Sequence, residues 1–331
     1  MTSENSGKQS ATVDLQAKYE LPRVAQVLRT PESRFAGVPD FPYQPHWTEV
    51  GGLRIAHVDE GPVMADPVLL LHGEPTWSFL YRKMIPVLIA AGHRVIAPDL
   101  VGFGRSDKPA GKGDYSYLNH VKWMSAWLEA NDLRHLTLFG QDWGSLIGLR
   151  MAAEMPGRFD RIVLGNGGLP TGATALPRAF HLWRAFSRWS PWFPIGRIVN
   201  SGCAVKLSAV EVAAYDAPFP DTRYKVAARL FPGFVPAGPE DPERSNNERA
   251  WEVFKRWDKP FLTLFSSRDP ITRGGERMWQ QRVPGAQGQP HAIVRGAGHF
   301  LQEDKGAEIA QAMSNFIRDT PRVRDATGAT P

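Results

Sequence analysis

Cysteine is almost absent from this chain: Cys203 is the single one among 331 residues, so the sequence excludes an internal disulfide framework. Scarce cysteine agrees with a reducing compartment, and we expect a cytoplasmic protein. No apolar run approaches the length of about 20 residues that a membrane-spanning helix needs, and the polar N-terminus lacks the order of a secretion signal. We therefore expect no membrane partner.

Charge of one sign is also scarce. The formal net charge is only +5, and basic residues alternate with acids along most of the chain, which argues against a nucleic-acid partner. What the sequence does have is tryptophan, with 11 residues. An indole N–H is a donor without an acceptor, so two of them facing one pocket would bind a small anion.

The hydrophobic pattern predicts an α/β protein. Trp47–Asp59 alternates around two glycines, as an antiparallel hairpin does, whereas Val68–Leu71, Arg94–Asp99 and Leu136–Phe139 are short apolar runs typical of buried parallel strands. Segments with helical spacing lie between these runs, as over Ser78–Ala91, and another follows near the C-terminus over Ala307–Arg318. Such alternation predicts a mostly parallel, doubly wound sheet with right-handed crossovers.

The alternation stops at about residue 168 and resumes near residue 243. The intervening segment is rich in proline and aromatic residues, and we interpret it as a helical cap over the strand ends where ligands bind in such sheets. The predicted organisation is a main domain of residues 27–167 and 243–320, a cap of residues 168–242, a flexible extension of residues 1–26 and a tail of residues 321–331.

The segment Gly140-Gln141-Asp142-Trp143-Gly144 follows the strand Leu136–Phe139 and precedes a helix. It has the form of the G-x-Ser-x-G turn that presents the nucleophile in α/β-hydrolases, with an aspartate in place of the serine. Asp269 follows the apolar run Phe261–Phe265, and His299 follows Ala292–Val294. Nucleophile, acid and histidine are thus in the chain order of the hydrolase fold.

An aspartate at this turn changes the chemistry. It is ionised at neutral pH without a base, and it can displace a leaving group from saturated carbon to give an ester. Hydrolysis of that ester then needs a water molecule that is activated by His299. Asp269 orients the His299 side chain for this step. The sequence therefore predicts a substrate with a carbon–halogen bond or an epoxide.

Oxyanion stabilisation is expected from two backbone N–H groups, those of Glu74 and Trp143. Glu74 lies in His72-Gly73-Glu74-Pro75, where this fold provides one such donor, and the other belongs to the residue after the nucleophile. The Glu74 side chain could serve as a first-turn helix carboxylate or could hold a water near the site.

Five motifs resemble the haloalkane dehalogenases: His72–Arg82, Pro98–Pro109, Gln141–Gly144, Ala297–Phe300 and, in the cap, Tyr215–Asp221. The resemblance covers about residues 28–316 and implies an α/β-hydrolase fold without metal or cofactor. It implies that a haloalkane and water give a primary alcohol, a halide and a proton through an alkyl-aspartyl ester. We expect a monomer.

Carried over by position, the resemblance implies Asp142 as nucleophile, His299 as base, Asp269 as its supporting acid and Trp143 as a halide-binding indole. Glutamate at position 74 resembles the subfamily that has a second halide-binding tryptophan in the cap. We predict Trp183 for this role, with Trp189 and Trp192 as rivals.

Two other functions compete with this one. An epoxide hydrolase would share the triad but would need cap phenols, for which Tyr215 and Tyr224 are available. A non-catalytic binding protein of this fold would be expected to have lost one of the triad positions, and this chain retains all three.

Overall fold

A computed structural model describes residues 14–322. An eight-stranded sheet forms its centre, with a separate two-stranded ribbon of β1 and β6 beside it. The strands are β1 (Val27–Leu28), β2 (His46–Val50), β3 (Leu53–Glu60), β4 (Pro67–Leu71), β5 (Arg94–Pro98), β6 (Lys108–Pro109), β7 (Leu136–Gly140), β8 (Phe159–Gly165), β9 (Phe261–Ser266) and β10 (Ala292–Val294).

The order in the large sheet is β10-β9-β8-β7-β4-β5-β3-β2. All neighbours are parallel except at one edge, where β3 runs antiparallel to β5 and forms a hairpin with β2. Strands β4, β7 and β9 are buried along their whole length, as their continuous apolar sequence requires. The predicted doubly wound α/β sheet is confirmed.

Eleven α-helices accompany the strands within residues 14–322. They are α1 (Leu15–Lys18), α2 (Ile85–Ala90), α3 (Tyr117–Ala130), α4 (Trp143–Glu154), α5 (Arg178–Trp189), α6 (Ile195–Gly202), α7 (Ala209–Asp216), α8 (Val226–Phe234), α9 (Arg244–Phe254), α10 (Glu276–Arg282) and α11 (Leu301–Asp319). None of the helices in this part of the chain is both long and apolar enough to cross a membrane.

Two helices differ from the sequence pattern. A single helix over residues 78–91 was expected, but a 3-10 turn at Ser78–Tyr81 precedes α2, which begins with Pro86 in its first turn, where the missing N–H costs nothing. A helix from Ala307 was expected near the C-terminus. Helix α11 begins earlier, at Leu301, and Lys305 (φ −142°) interrupts its regular geometry.

Helices α5–α8 lie within the segment predicted to be a cap, and α9 packs on α4 of the main domain. A buried ion network joins this segment to the main domain. Arg82 donates to Glu211 at 2.5 Å and to Glu303 at 2.8 Å, and Glu303 also accepts from the hydroxyl of Tyr215. Because a buried charge is tolerated only when it is paired, this network fixes α7 above α11.

The beginning of the described chain is not the free extension that the sequence suggested for residues 1–26. The Lys18 ammonium lies 2.5 Å from the Glu129 carboxylate on α3, and the Tyr19 hydroxyl donates to the same carboxylate at 2.6 Å. Strand β1 follows and pairs with β6. Residues 1–13 of the predicted extension and residues 323–331 of the predicted tail lie outside the described residues.

The turn from β7 into α4 is packed closely against β4. Asp142 precedes the helix with φ 50° and ψ −129°, a conformation that non-glycine residues rarely adopt. A Cβ on Gly144 would lie 1.8 Å from the Leu71 carbonyl oxygen, and one on Gly140 would lie 2.8 Å from the Ser145 Cα. Glycine at both positions therefore permits the turn.

We predict that Gly144→Ala lowers the free energy of unfolding by about 3 kcal/mol or more, because backbone atoms of β4 would have to move. Gly157→Ala is the control, since a Cβ there meets no atom within 4 Å; its effect should stay within about 0.5 kcal/mol. Urea unfolding followed by circular dichroism measures both. Equal stability of the two variants would contradict the packing argument.

Candidate active site

Asp142 presents its carboxylate at the C-terminal end of the sheet. Its backbone N–H donates to the Asn166 carbonyl at 3.0 Å, and its Oδ1 accepts the backbone N–H of Glu74 at 2.7 Å. A Cβ on Gly73 would lie 2.2 Å from that Oδ1. Backbone atoms that follow β4 and β7 therefore enclose one side of the carboxylate, and a side chain can approach only from the other side.

His299 occupies that other side. Its Nε2 lies 3.4 Å from Asp142 Oδ2, and its Nδ1 lies 3.1 Å from Asp269 Oδ2. Asp269 is buried and also accepts hydrogen bonds from the Thr272 hydroxyl and, at 2.9 Å, from the Ile271 N–H. The three residues that the sequence singled out at separate strand ends therefore meet in one hydrogen-bonded row.

The charges in this row are strongly coupled. Burial opposes ionisation of Asp269, yet the charge of His299 and the hydrogen bonds to the carboxylate lower its pKa to about 2. Burial likewise opposes protonation of His299, but Asp269 and Asp142 together raise the pKa of the imidazole from an ordinary 6.5 to about 10. Between those values the resting site holds an imidazolium beside an ionised Asp269.

Both backbone groups expected to stabilise an oxyanion lie beside Asp142. The Glu74 N–H already donates to the Asp142 carboxylate. Trp143 is the first residue of α4, so its N–H has no partner within the helix and lies at the positive end of the helix dipole.

Glu74 is not in a helix, so its side chain is not a first-turn helix carboxylate. It lines the cavity into which Asp142 also faces. Its carboxyl is buried, and Oε1 has no hydrogen-bond partner among the described residues. Burial and the charge of Asp142 raise the pKa of Glu74 well above its ordinary value, against smaller opposing effects of His299 and the Trp183 N–H. Burial thus favours the protonated form of this carboxyl.

Two of the candidate tryptophans have their indoles in the cavity. The Trp143 ring is buried between Tyr117 and Phe231, at centroid distances of 5.1 and 4.7 Å. The Trp183 ring stacks on Phe186. Its N–H is close enough to the Glu74 carboxyl, next to the triad, to oppose the rise in the pKa of that group.

The rival tryptophans lie farther out. Trp189 is 73% exposed and does not line the cavity, whereas Trp192 is 58% exposed and lies at the cavity rim.

The cavity itself has a volume of about 1330 Å³ and is lined mainly by apolar and aromatic side chains of the sheet ends and of the cap segment. No tyrosine of the described chain lines it. The Tyr215 hydroxyl donates to Glu303 in the buried ion network, and the Tyr224 hydroxyl lies 3.5 Å from the Arg29 carbonyl. The two phenols that an epoxide hydrolase would need are thus directed elsewhere.

Asn166 is a site residue that sequence reasoning missed. The nitrogen of its side-chain amide donates to the Ser266 hydroxyl at 2.8 Å and to the backbone carbonyls of Gly298 and His299 at 2.9 and 2.8 Å. The backbone carbonyl of Asn166 accepts the Asp142 N–H. It therefore connects the nucleophile turn, β9 and the histidine loop. Its position directly after β8, at the same sheet edge as the triad, is the signal that could have found it.

Asp304 is a second missed residue, and it joins the histidine loop to the cap segment. One oxygen of its carboxylate accepts both the Gly298 N–H at 2.8 Å and the Ala204 N–H at 2.9 Å. The His299 N–H donates in turn to the Gly202 carbonyl at 2.8 Å. The loop that holds the base is therefore hydrogen-bonded to the end of α6.

Residues 14–322 contain no group of three or more histidine, cysteine or acidic side chains placed to hold a metal ion.

Comparison with known proteins gives consistent results. A family model described as alpha/beta hydrolase fold matches residues 66–195. A haloalkane dehalogenase from Psychrobacter cryohalolentis is 54% identical over 302 residues, which is 90% of this chain and 100% of that protein. A haloalkane dehalogenase from Mycobacterium tuberculosis is 52% identical and covers 89% of this chain and 99% of its own length.

Among solved structures, a tetrameric haloalkane dehalogenase from Paraglaciecola agarilytica superimposes with a TM-score of 0.80 at 38% identity, over 88% of this chain and 99% of that one. Identity of this extent along nearly the whole length, together with the fold described above, shows the relationship that the motifs suggested. This chain belongs to the haloalkane dehalogenase family and has the α/β-hydrolase fold.

Proposed function

We propose that the protein hydrolyses haloalkanes to a primary alcohol, a halide and a proton, with Asp142 as the nucleophile. One observation carries the proposal: the strained turn presents a carboxylate, not a hydroxyl, to an apolar cavity, with the His299 Nε2 at 3.4 Å. A carboxylate in apolar surroundings is suited to attack a carbon that carries a leaving group.

In the first step an Asp142 oxygen forms a bond to the substrate carbon, and the carbon–halogen electron pair leaves with the halide. Negative charge moves from the carboxylate to the halide, so donors aimed at the halide stabilise the transition state more than the substrate. The indole N–H groups of Trp143 and Trp183 are assigned this role because both line the cavity beside Asp142. Their apolar rings also exclude water.

In the second step His299 takes a proton from water as the oxygen attacks the carbonyl carbon of the Asp142 ester. The oxyanion receives hydrogen bonds from the Glu74 and Trp143 N–H groups, and its collapse releases the alcohol and restores the carboxylate. Asp269 holds the imidazole in place and stabilises its positive charge. The buried carboxyl of Glu74, which lines the cavity and has an oxygen without a hydrogen-bond partner among the described residues, can hold the attacking water in position.

The two steps are kept in order by electrostatics. While Asp142 is ionised, its charge helps to keep His299 protonated and therefore unable to act as a base. Alkylation removes that charge, so the pKa of His299 falls and the imidazole becomes available as a base once there is an ester to hydrolyse.

An epoxide hydrolase fits the site less well. Opening an epoxide requires a donor for the leaving oxygen, which stays attached to the substrate, whereas the donors next to Asp142 are indoles suited to a departing ion. The candidate phenols of Tyr215 and Tyr224 do not line the cavity.

The location and assembly of the protein are proposed on narrower grounds. The single cysteine, which is buried and unpaired, supports a cytoplasmic location. We propose a monomer, and sedimentation equilibrium tests it, since the relative from Paraglaciecola agarilytica is described as tetrameric.

Replacing His299 by glutamine should stop the reaction at the ester, because alkylation needs no base and hydrolysis does. Incubation of His299→Gln with 1-bromobutane should add one butyl group to a peptide that contains Asp142, with one equivalent of bromide released. Intact-protein and peptide mass spectrometry measure the adduct. His299→Gln/Asp142→Asn is the control and should remain unmodified; an adduct on the control, or none on His299→Gln with an active wild type, contradicts the mechanism.

The pKa of His299 should be lower in Asp142→Asn than in the wild type, because the amide mimics the uncharged ester. Ring ¹⁵N chemical shifts, assigned by loss of the signal in His299→Gln, give both values. In the wild type, whose folded pKa of about 10 exceeds the ordinary 6.5, stabilisation by the His299 proton is complete below about pH 6.5. It is then lost as the pH rises to about 10, so the wild type should lose more stability than His299→Gln in this window. Equal pKa values in wild type and Asp142→Asn would exclude the proposed ordering.

Trp183→Phe should weaken bromide binding and lower kcat/KM by on the order of 10²-fold, since it removes one N–H donor but keeps an aromatic ring. Quenching of tryptophan fluorescence by bromide and initial rates of bromide release measure the two effects. Trp189→Phe is the matched control, because Trp189 is on the same helix but outside the cavity. If Trp189→Phe has the larger effect, the assignment of Trp183 is wrong.

A further inference from the structure

The outer face of α5 is apolar where a surface helix is usually polar. Leu182, Ala185 and Trp189 are spaced by three and four residues and therefore share one face, whereas Phe180 and Ser187 are buried on the opposite face. Leu182 is 72% exposed and Trp189 is 73% exposed. The helix thus has one apolar face packed on the protein and a second one that nothing in residues 14–322 covers.

The exposed face continues beyond the end of α5. Trp192, in the turn before α6, is 58% exposed, and Phe186 is 37% exposed. Single exposed apolar residues are ordinary on protein surfaces, but a contiguous group of large ones marks a surface that binds something. We call Leu182, Phe186, Trp189 and Trp192 the outer aromatic face.

The charge around this face is of one sign. Residues 162–210 contain no aspartate or glutamate, while they contain five basic residues, which is an exception to the even mixture found along most of the chain. The basic residues of this stretch are Arg178, Arg184, Arg188, Arg197 and Lys206.

Within residues 14–322, the four arginines of this stretch have no acidic partner. Among the described residues, none of the four guanidinium groups takes part in an ion pair or donates a side-chain hydrogen bond. Two of them lie over exposed indoles, Arg188 at 4.9 Å from the Trp189 ring centre and Arg197 at 5.5 Å from that of Trp192. Their N–H groups therefore remain available for an external anion.

Tryptophan and leucine side chains flanked by unpaired arginines match the interface of an anionic bilayer. Indoles prefer the headgroup region, leucine enters the acyl boundary, and guanidinium groups bind lipid phosphates. Pairing of this face with the same face of a second copy would place arginines opposite arginines. The charge of the face therefore favours an anionic membrane surface over self-association.

The cavity opens at the same place. Two residues of the outer aromatic face, Phe186 and Trp192, also line the cavity that contains Asp142. The nearby Arg197 lines it as well. A bilayer in contact with this face would thus touch the cavity rim. Haloalkanes are apolar and accumulate in membranes, so the rim would meet the substrate where it is most concentrated.

We propose that residues 178–197 are a docking surface for anionic membranes, through which the cavity takes up haloalkane dissolved in the bilayer. The part concerning uptake rests on the proposed function, whereas the part concerning binding does not. The sequence had suggested no membrane partner because it lacks an apolar run long enough to span a bilayer, but surface binding requires no such run.

Vesicle co-sedimentation tests binding directly. The full-length protein should sediment with vesicles of equal parts phosphatidylcholine and phosphatidylglycerol and much less with phosphatidylcholine alone. Binding should fall when salt rises from about 0.1 to about 1 M, because the Debye length shrinks from about 10 to about 3 Å. Leu182→Ser/Trp189→Ser should lower the partition constant at least about tenfold. Arg178→Glu/Arg188→Glu should lower it at least about 25-fold.

Matched controls separate this face from exposed residues in general. Trp47→Ser removes an indole on β2 that is 39% exposed and lies under Arg54 at 4.8 Å, and Lys112→Glu reverses an exposed charge outside residues 162–210. Both should bind anionic vesicles as the wild type does. Circular dichroism and turnover of a water-soluble bromoalkane should be unchanged in Leu182→Ser/Trp189→Ser, which shows that loss of binding is not loss of folding.

Several outcomes would overturn the proposal. One is equal binding to both kinds of vesicle, or none; another is an equal loss of binding in the Trp47→Ser control. A change from oligomer to monomer in Leu182→Ser/Trp189→Ser, seen by light scattering without lipid, would assign the face to self-association.

For the uptake part, 1-bromododecane in anionic vesicles should react faster than in neutral ones, and Leu182→Ser/Trp189→Ser should abolish the difference. Binding without that difference refutes uptake alone, and binding by a protein inactive toward every haloalkane refutes the proposed function instead.

Discussion

The contact between α4 and the end of β4 is the constraint on which the site depends. Gly144 lies so close to the Leu71 carbonyl that no side chain fits between them, and in the same turn Asp142 has a positive φ. The same approach brings the Glu74 N–H to the Asp142 carboxylate and leaves the Trp143 N–H unpaired beside it. One backbone arrangement thus positions Asp142, the proposed nucleophile, and the two groups that would stabilise the oxyanion. The strain is supported by the fully buried strands β4 and β7, whose packing can absorb such a local cost.

The electrostatics of the site depend on that position. An aspartate held 3.4 Å from His299 and a buried Asp269 on the other side make the imidazole far more basic than usual. A base that is protonated at rest would be of little use in a serine hydrolase, where proton removal comes first. In the reaction proposed here the nucleophile needs no base, so the protonated imidazole costs nothing until the ester has formed.

Much of this architecture could be predicted from the sequence because it is encoded locally. The parallel sheet follows from apolar runs such as Val68–Leu71, and the turn at Asp142 follows from glycines with a fixed spacing. The interrupted helix over residues 78–91 was harder to predict, since its apolar spacing hides the separate start that Pro86 permits. Asn166 and Asp304 were missed for a different reason, because their roles arise from hydrogen bonds between segments distant in sequence.

The choice among the cap tryptophans shows the same limit. Trp183, Trp189 and Trp192 are within ten positions of one another, and composition cannot separate them. Their environments do, because helix geometry turns Trp183 toward Glu74 and Trp189 toward solvent. The roles of these residues and the domain limits remain predictions, whereas the fold and the family are established.

The hydrogen bonds of Asp304 bear on how such proteins can be altered. Because one carboxylate oxygen holds both the histidine loop and the end of α6, the cap segment and the loop cannot change independently. Exchange of the cap for that of a relative would keep His299 in register only if the graft brought a matching N–H group at position 204. Substrate range in this protein would then change more readily through side chains inside the cavity than through replacement of the cap as a module.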